Sequence, residues 1–325
     1  MNVFVTGGAG YIGSILVENL LNAGHGVTVY DTLTEGHRAA VDPRARLILA
    51  RSEIKNDTVS AFKLAAPQAI IHLAGSALVG ESMTNPGKYF RNNVVNGLQV
   101  LDAAVDAGVI KFVLSSTCVT YGNVTPDQVP LTEDLPQRPS NPYGESKLML
   151  EQILRWYHQI HGLEFVALRF FNAAGASQNF GEHHRVETHL IPNLLKVALG
   201  QSAHCEIYGT DYPTPDGTCI RDYVHIRDLA QAFILALEPG RRGFYNLGNG
   251  DGYSVRQVIQ CCEKITGRKI KTIEKPRRPG DAPRLVASAE KAIRELGWKP
   301  NHQSLEDIVA TAWQWHKAHP QGYAD

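Results

Sequence analysis

The chain has 325 residues, 43% of them hydrophobic and 20% charged, with 32 basic side chains against 32 acidic ones. That length asks for one or two packed domains, and the balanced charge excludes the basic footprint of a nucleic-acid binder or of a protein held on an anionic membrane. No apolar run approaches the ~20 residues of a membrane span, no basic and apolar leader precedes the first strand, and Cys118, Cys205, Cys219, Cys261 and Cys262 show no metal spacing. A cytoplasmic protein with free, buried thiols and no metal is expected.

Asn2–Thr6 reads as a strand, and Tyr11–Ala23 as a helix with an apolar stripe. Between them stands Thr6-Gly7-Gly8-Ala9-Gly10-Tyr11-Ile12-Gly13. Gly7, Gly10 and Gly13 at this spacing permit a tight turn and close approach of backbone to a pyrophosphate, which the helix N-terminus then faces. The second strand, Val27–Tyr30, ends at Asp31, where a carboxylate can accept from both hydroxyls of an adenosine ribose. The same charge would repel a 2′-phosphate, so NAD is expected rather than NADP. Leu47–Ala50 is the third strand, and Glu53 beyond it can accept from an adenine amino group. Ala69–His72 follows, and Leu73-Ala74-Gly75 after it supplies small residues where a cofactor passes close to backbone.

A long helical pattern, Tyr89–Ala107, leads to the strand Phe112–Ser115, and a second one, Tyr143–His161, leads to the strand Phe165–Arg169. Short apolar strands alternating with helices predict βαβ units and a parallel sheet. After Asn172 the texture changes: residues 175–187 read as a loop, and Pro/Gly punctuation marks 212–217 and 276–283. The predicted fold is α/β, a Rossmann-type doubly wound parallel sheet with a smaller mixed α/β carboxy-terminal substrate lobe. The cofactor domain is placed at 1–175, with parts of 219–248 returning to it, and the substrate lobe at 176–325.

The reactive centre is read from Tyr143 and Lys147, which share one helix face at i and i+4. Thr117, just past the fifth strand, lies at the sheet edge where open parallel sheets bind ligands. A hydroxyl, a phenol and an ammonium would thus converge beside a nicotinamide. For the phenol to act as a base near neutrality, its pKa of ~10 must fall by ~2–3 pH units, or about 3–4 kcal/mol. One positive charge ~6 Å away, at an effective dielectric of ~20, provides about 2.8 kcal/mol. Lys147 is therefore expected to be nearly sufficient.

These motifs resemble the extended short-chain dehydrogenase/reductase family, and within it the UDP-glucose (UDP-galactose) 4-epimerases. The resemblance rests on the glycine motif, Val79-Gly80-Glu81-Ser82, Asn92-Asn93-Val94 and Tyr143-x-x-x-Lys147. It extends through Asp211-Tyr212-Pro213-Thr214-x-Asp216-Gly217-Thr218-x-x-Arg221-Asp222-Tyr223 and Arg277-Arg278-Pro279-Gly280-Asp281 to the closing His319-Pro320-Gln321-Gly322-Tyr323. It implies an isomerase that epimerises C4 of a UDP-hexose through a 4-keto sugar with tightly bound NAD. Tyr143 would be the base, Thr117 would hydrogen-bond the reacting oxygen, and Lys147 would bind the nicotinamide ribose. Tyr11, Ile12, Asp31, Glu53, Ile54, Leu73, Ala74, Gly75, Asn93 and Phe171 match cofactor positions. Asn172, His189, Leu190, Glu206, Ile207, Tyr208, Arg221, Arg278 and Asp281 match nucleotide-sugar positions. The arginines suit a diphosphate, for which guanidinium offers paired donors. A homodimer is also implied, and the apolar stripes near Asn92–Ala107 and Ser146–His161 fit either core or a dimer bundle.

Three departures from the family pattern stand out. Ala77 replaces a lysine that some relatives place against the cofactor phosphates, and Thr117 replaces a serine while keeping the hydroxyl. Leu285 stands where hexose-restricted members often carry tyrosine, which leaves room for an N-acetyl group and implies UDP-GlcNAc/UDP-GalNAc as further substrates. A nucleotide-sugar dehydratase or decarboxylase is disfavoured because Cys118 and Val119 occupy the positions that an acid/base pair would need. A non-catalytic NAD-binding module would have no use for Tyr143, Lys147 and the sugar-side Arg/Asp set.

Overall fold

The computed structural model describes residues 1–50, 55–278 and 281–324. Its central sheet starts with β1 (Asn2–Thr6), β2 (Gly26–Asp31), β3 (Arg46–Leu49) and β4 (Ala69–His72), and continues with β5 (Lys111–Thr117) and β6 (Glu164–Phe170). Two short strands, β7 (Asn172–Ala174) and β8 (Cys205–Tyr208), are followed by β9 (Ile220–Arg221) and β10 (Tyr223–His225). The chain then returns to the large sheet as β11 (Gly243–Leu247). The strand order is β11-β6-β5-β4-β1-β2-β3, and every pairing is parallel. The chain winds outward from β1 to β3, then crosses back to β4. That reversal opens a crevice beyond the carboxyl ends of β1 and β4, where Thr6 and His72 are in register.

Strands covered on both faces need apolar residues throughout, and Phe4, Val5, Ile70, Ile71, Val113, Leu114 and Ala167 are wholly buried. One face is packed by α1 (Tyr11–Asn22), whose Ile15, Leu16 and Leu20 share a core with Leu229 and Phe233 of a later helix, Ile226–Leu235. The other face carries α2 (Lys55–Ala65) and, after the short turns α3 (Val79–Ser82) and α4 (Pro86–Tyr89), the helices α5 (Asn96–Asp106) and α6 (Pro142–His161). Phe62, Leu101, Leu150 and Leu154 fill that side. A third core lies in the carboxy-terminal half, where α7 (Leu190–Ala198), α8 (Ile226–Leu235 itself), α9 (Val255–Thr266) and α10 (Leu305–Ala318) follow in order. Leu194 and Leu195, Cys262, and Ile308 and Val309 meet there. Short strands β12 (Tyr253–Ser254), β13 (Thr272–Lys275) and β14 (Arg284–Leu285) pair with β9, β8 and β9. All five cysteines are buried and free.

Tyr89–Ala107 departs from the single α-helix that its apolar pattern predicts. A π-helical segment, Phe90–Val95, separates α4 from α5. Widening the turn by one residue rotates a side chain off the regular stripe, and such insertions gather at functional sites. Here the residue turned inward is Asn93, which is wholly buried.

Candidate active site

The glycine turn is built as the motif predicts. Gly7 has a φ of +72°, and a methyl there would lie 2.7 Å from the backbone N of Ala74. The turn after β1 can therefore press against the Leu73-Ala74-Gly75 segment only with glycine at this position. Gly13 lies inside α1, packed on the carbonyl of Gly7. Gly10 differs: a methyl there would touch only Gly7 O, at 3.5 Å, an ordinary contact. The protein's own packing therefore does not demand glycine at this position. Asp31 is buried at the end of β2, with Oδ2 accepting from Ala9 N at 2.9 Å and Oδ1 from Leu33 N at 2.8 Å. Leu33 adopts a left-handed φ of 58° in the turn that brings its N–H back onto the carboxylate, a cost accepted at functional sites. Each oxygen keeps a further lone pair for a ribose hydroxyl. The residues therefore fit a dinucleotide.

Tyr11 opens α1, but its hydroxyl is spent on Gly175 O at 2.7 Å. Ile12 and Leu73 pack against the main core, and Ala74 N donates to Thr6 O. Gly75 lies beside Asn93, whose Oδ1 accepts from Ser76 N at 2.8 Å and whose Nδ2 donates to Ser76 O at 3.0 Å and Ser146 Oγ at 2.9 Å. Glu53 and Ile54 lie outside the described residues.

The reactive centre is carried by β5 and α6. Asn141 caps α6 by accepting from Gly144 N at 2.9 Å, and Pro142 occupies the first turn, where a missing N–H is harmless. A methyl on Gly144 would lie 2.8 Å from Val119 O, so only glycine lets this turn of helix rest on the segment after Thr117. That close approach brings the Tyr143 phenol into hydrogen-bonding reach of Thr117. Lys147, one turn on, donates from Nζ to Ser115 O at 2.9 Å. Thr117, Tyr143 and Lys147 are all buried.

The protonation of Tyr143 runs against the expectation from sequence. Burial pushes the Tyr143 phenol up to about 12, opposed by the hydrogen bond to Thr117. Burial likewise draws the Lys147 ammonium down to about 8, opposed by the charge of Glu151. Desolvation penalises phenolate and ammonium alike, and here it outweighs the field expected of a lysine one turn away. The chain's own groups hold Tyr143 protonated.

Of the residues that the resemblance matches to a nucleotide sugar, Asn172, Glu206, Ile207, Tyr208, Arg221 and Leu285 lie on the short strands. Leu285 of β14 is in register with Arg221 of β9 and packs with Cys118, Tyr121 and Phe171, directly beside the reactive centre. Arg221 Nη2 reaches Asp281 Oδ1 at 3.3 Å and its Nη1 donates to Ala282 O at 2.9 Å. The Arg278 guanidinium sits 3.9 Å above the Tyr208 ring, and Glu206, Ile207 and Tyr208 form β8, paired with β13. The buried hydroxyl of Tyr212, inside the long Asp-Tyr-Pro-Thr motif, has no hydrogen-bond partner among the described residues. Asn172 begins β7, with its N–H on Asp222 O, while Leu190 begins α7. His189 is engaged elsewhere: Nδ1 lies 2.9 Å from both Glu182 Oε1 and Glu187 Oε1. Cys118, pushed up to about 12 by burial, is inert as an acid/base group.

Two features escaped the sequence reading. Glu151 is one turn beyond Lys147 and is gripped by Arg169 at 2.9 Å and 2.7 Å, by Ser116 Oγ at 2.5 Å and by Gln137 at 3.0 Å. This buried pair ties α6 to β5 and β6 under the reactive centre. Only its spacing of four from Lys147 hinted at it. The other is the cluster around His189, in which Glu182, His184, Glu187 and His189 alternate along one loop.

An open parallel sheet with a glycine turn at its switch point, and a Thr/Tyr/Lys set at the next strand end, defines an NAD-dependent enzyme of the short-chain dehydrogenase/reductase class. The comparisons narrow this. Residues 3–248 match the NAD dependent epimerase/dehydratase family, and the chain belongs to that family. It is 46% identical to a UDP-glucose 4-epimerase of Lacticaseibacillus casei, over 100% of this chain and 99% of that one. Among solved structures, it is similar to UDP-glucose 4-epimerase from Brucella ovis in complex with NAD, with a TM-score of 0.92, 42% identity and coverage of 97% and 98%. It is also similar to the enzyme from Bifidobacterium longum in complex with NAD+ and UDP, with a TM-score of 0.94, 36% identity and coverage of 99% and 100%.

Proposed function

We propose that this enzyme, an isomerase, interconverts UDP-glucose and UDP-galactose through a 4-keto sugar, with NAD bound in the crevice between β1 and β4. The observation that carries the reading is the meeting of Thr117 and Tyr143, with Lys147 one turn on, beside Leu285, whose strand partner is Arg221. NAD, when bound, supplies a reversible acceptor for the C4 hydrogen and its electron pair, and a positive ring whose field favours the phenolate. Thr117 Oγ1 holds the sugar 4-oxygen while Tyr143 Oη takes its proton and later returns it. Lys147 would hold the nicotinamide ribose with the protons not given to Ser115 O. Arg221 and Arg278 grip the diphosphate, Asp281 and Glu206 accept from the uridine side, and the keto sugar turns on that tether before its other face is reduced. Net oxidation is zero, so NAD remains in place.

We assign residues 1–175, with parts of 219–248, to cofactor binding, and 176–325 to the nucleotide sugar. Support comes from β11 closing the large sheet and from the Ile226–Leu235 helix packing on α1. The remaining sequence-matched positions are assigned with these, except His189, whose ring is taken up by Glu182 and Glu187. Leu285 in place of a larger ring supports N-acetylated UDP-hexoses as further substrates. Val95, Leu98, Met149, Trp156 and Ile160, exposed apolar residues along the π-helical segment, α5 and α6, support a homodimer through those helices. No described helix is long and apolar enough to cross a membrane, in keeping with a cytoplasmic location.

Purified NAD-loaded protein should convert UDP-galactose to UDP-glucose, and denaturation should release about one NAD per chain. An NAD-loaded protein that leaves UDP-galactose unchanged would sink the proposal.

A further inference from the structure

The loop between β7 and α7 holds Glu182, His184, Glu187 and His189, and one donor atom from each lies within 4.8 Å of the others. His189 Nδ1 is 2.9 Å from Glu182 Oε1 and 2.9 Å from Glu187 Oε1, and His184 Nε2 is 3.3 Å from Glu182 Oε1. A four-coordinate ion with bonds of about 2.0–2.1 Å spaces its ligand atoms roughly 3.3 Å apart. Glu182 Oε1 is sealed from solvent, and the two imidazoles that stand 2.9 Å and 3.3 Å from it leave it without a well-formed hydrogen bond. A buried carboxylate oxygen left so is costly unless something else satisfies it.

We propose that these four side chains form a structural site for a zinc-like divalent transition-metal ion. Two carboxylates balance the double charge, and the imidazoles select a first-row transition metal over Mg2+ or Ca2+. Four protein ligands close the coordination sphere, which marks a site that braces the chain and does no chemistry. His184 is half-buried and His189 exposed, so an ion reaches the site from solvent.

The loop leans on the ribose end of the cofactor seat. Arg185 Nε donates to Thr34 O at 2.9 Å and Nη2 to Gly36 O at 3.3 Å, and the His183 ring stacks on His37 with centroids 4.5 Å apart. Fixing Glu182 to His189 around one ion fixes these contacts just past Asp31. The bracing role rests on the cofactor reading given above, whereas metal uptake does not depend on it.

The test uses the full-length, NAD-loaded protein, stripped by chelator and titrated with ZnCl2 in a calorimeter, with bound metal counted by mass spectrometry. The expected result is saturable uptake of about one Zn2+ per chain, and with CoCl2 the visible absorption of tetrahedral cobalt. Glu182→Gln and His184→Ala should each weaken uptake by about 100-fold or more. Chelation should lower the melting temperature of the wild type and leave that of the variants unmoved. Absence of saturable uptake by the wild type would overturn the site, leaving a metal-free cluster of Glu/His ion pairs. Undiminished uptake by both variants would overturn it too. The wild-type titration decides even where a variant fails to fold.

Discussion

The two halves of the site are held by different means. On the cofactor side, Thr117, Tyr143, Lys147 and Asp31 are all buried, fastened by strand ends, helix caps and backbone N–H or C=O groups. On the nucleotide-sugar side the charges hold one another: Arg221 with Asp281, Arg277 with Asp211 at 2.7 Å, Lys275 with Glu206 at 3.4 Å, and Arg278 against the Tyr208 ring. Backbone anchoring gives fixed geometry at the price of desolvation, which moves the pKa values of Tyr143 and Lys147. Pairing at the surface costs little and keeps each charge ready to exchange its partner for a ligand. In the function proposed above, the first would suit bond-making and the second would suit gripping a substrate whose sugar must turn.

If this contrast is right, the largest effect should come from the buried phenol. Tyr143→Phe should lower kcat by about 10³-fold while NAD content stays the same, since only the proton acceptor is lost. Steady-state turnover and cofactor release measure both, and retained turnover would remove the catalytic role.

Lys147→Met comes next, and its effect should be seen in stability as well as in lost activity. The folded-state pKa of about 8 lies below the ordinary 10.5. Below pH 8 both states hold the proton and the fold bears the cost of the buried charge. Between 8 and 10.5 the unfolded chain holds more protons, so stability rises with pH, and above 10.5 there is no further gain. The methionine variant should therefore exceed the wild type by up to about 3 kcal/mol at pH 7, and this gap should close as pH passes through that window. Urea melts at pH 7 and pH 10 read it directly; an equal difference at both would refute the desolvation account.

On the surface side the effects should be smaller and confined to binding. Arg278→Ala should raise KM for UDP-galactose by about 10- to 100-fold, in line with about 1.5–3 kcal/mol for hydrogen bonds to a charged group, and change kcat little. A fall in kcat with KM unmoved would place Arg278 among the reacting groups. Leu285→Tyr should be the mildest on the parent reaction, with UDP-glucose/UDP-galactose turnover near wild type. The ratio of activities on UDP-GlcNAc and UDP-glucose should fall about 10-fold or more, as expected for overfilling a pocket by a few carbons. An unchanged ratio would show that the side chain does not border C2.

Much of the cofactor side was legible from the chain. β1 and β4 have the predicted bounds, and β5 and β6 run only one or two residues further at each end. Gly7, Asp31, Thr117, Tyr143 and Lys147 stand where their motifs placed them. The π-helical turn at Phe90–Val95 was not legible, because an inserted residue leaves the local apolar pattern almost intact and shows only in which side chain turns inward. The buried Glu151–Arg169 pair joins residues on α6 and β6, and nothing local in either segment announces the other. The protonation of Tyr143 was not legible for a related reason: spacing sets its separation from Lys147 along a helix, but only packing sets how much water the pair loses.

By itself the sequence determined the parallel α/β order and the dinucleotide turn, and it carried Thr117, Tyr143 and Lys147, proposed above as the reacting groups, since these depend on short-range period, turn chemistry and residue type. The tertiary structure alone decided that the phenol is protonated by default, that Asn93 faces inward, and that four loop side chains converge on one point. Each depends on desolvation or on contacts between distant segments, and the chain's linear order carries neither.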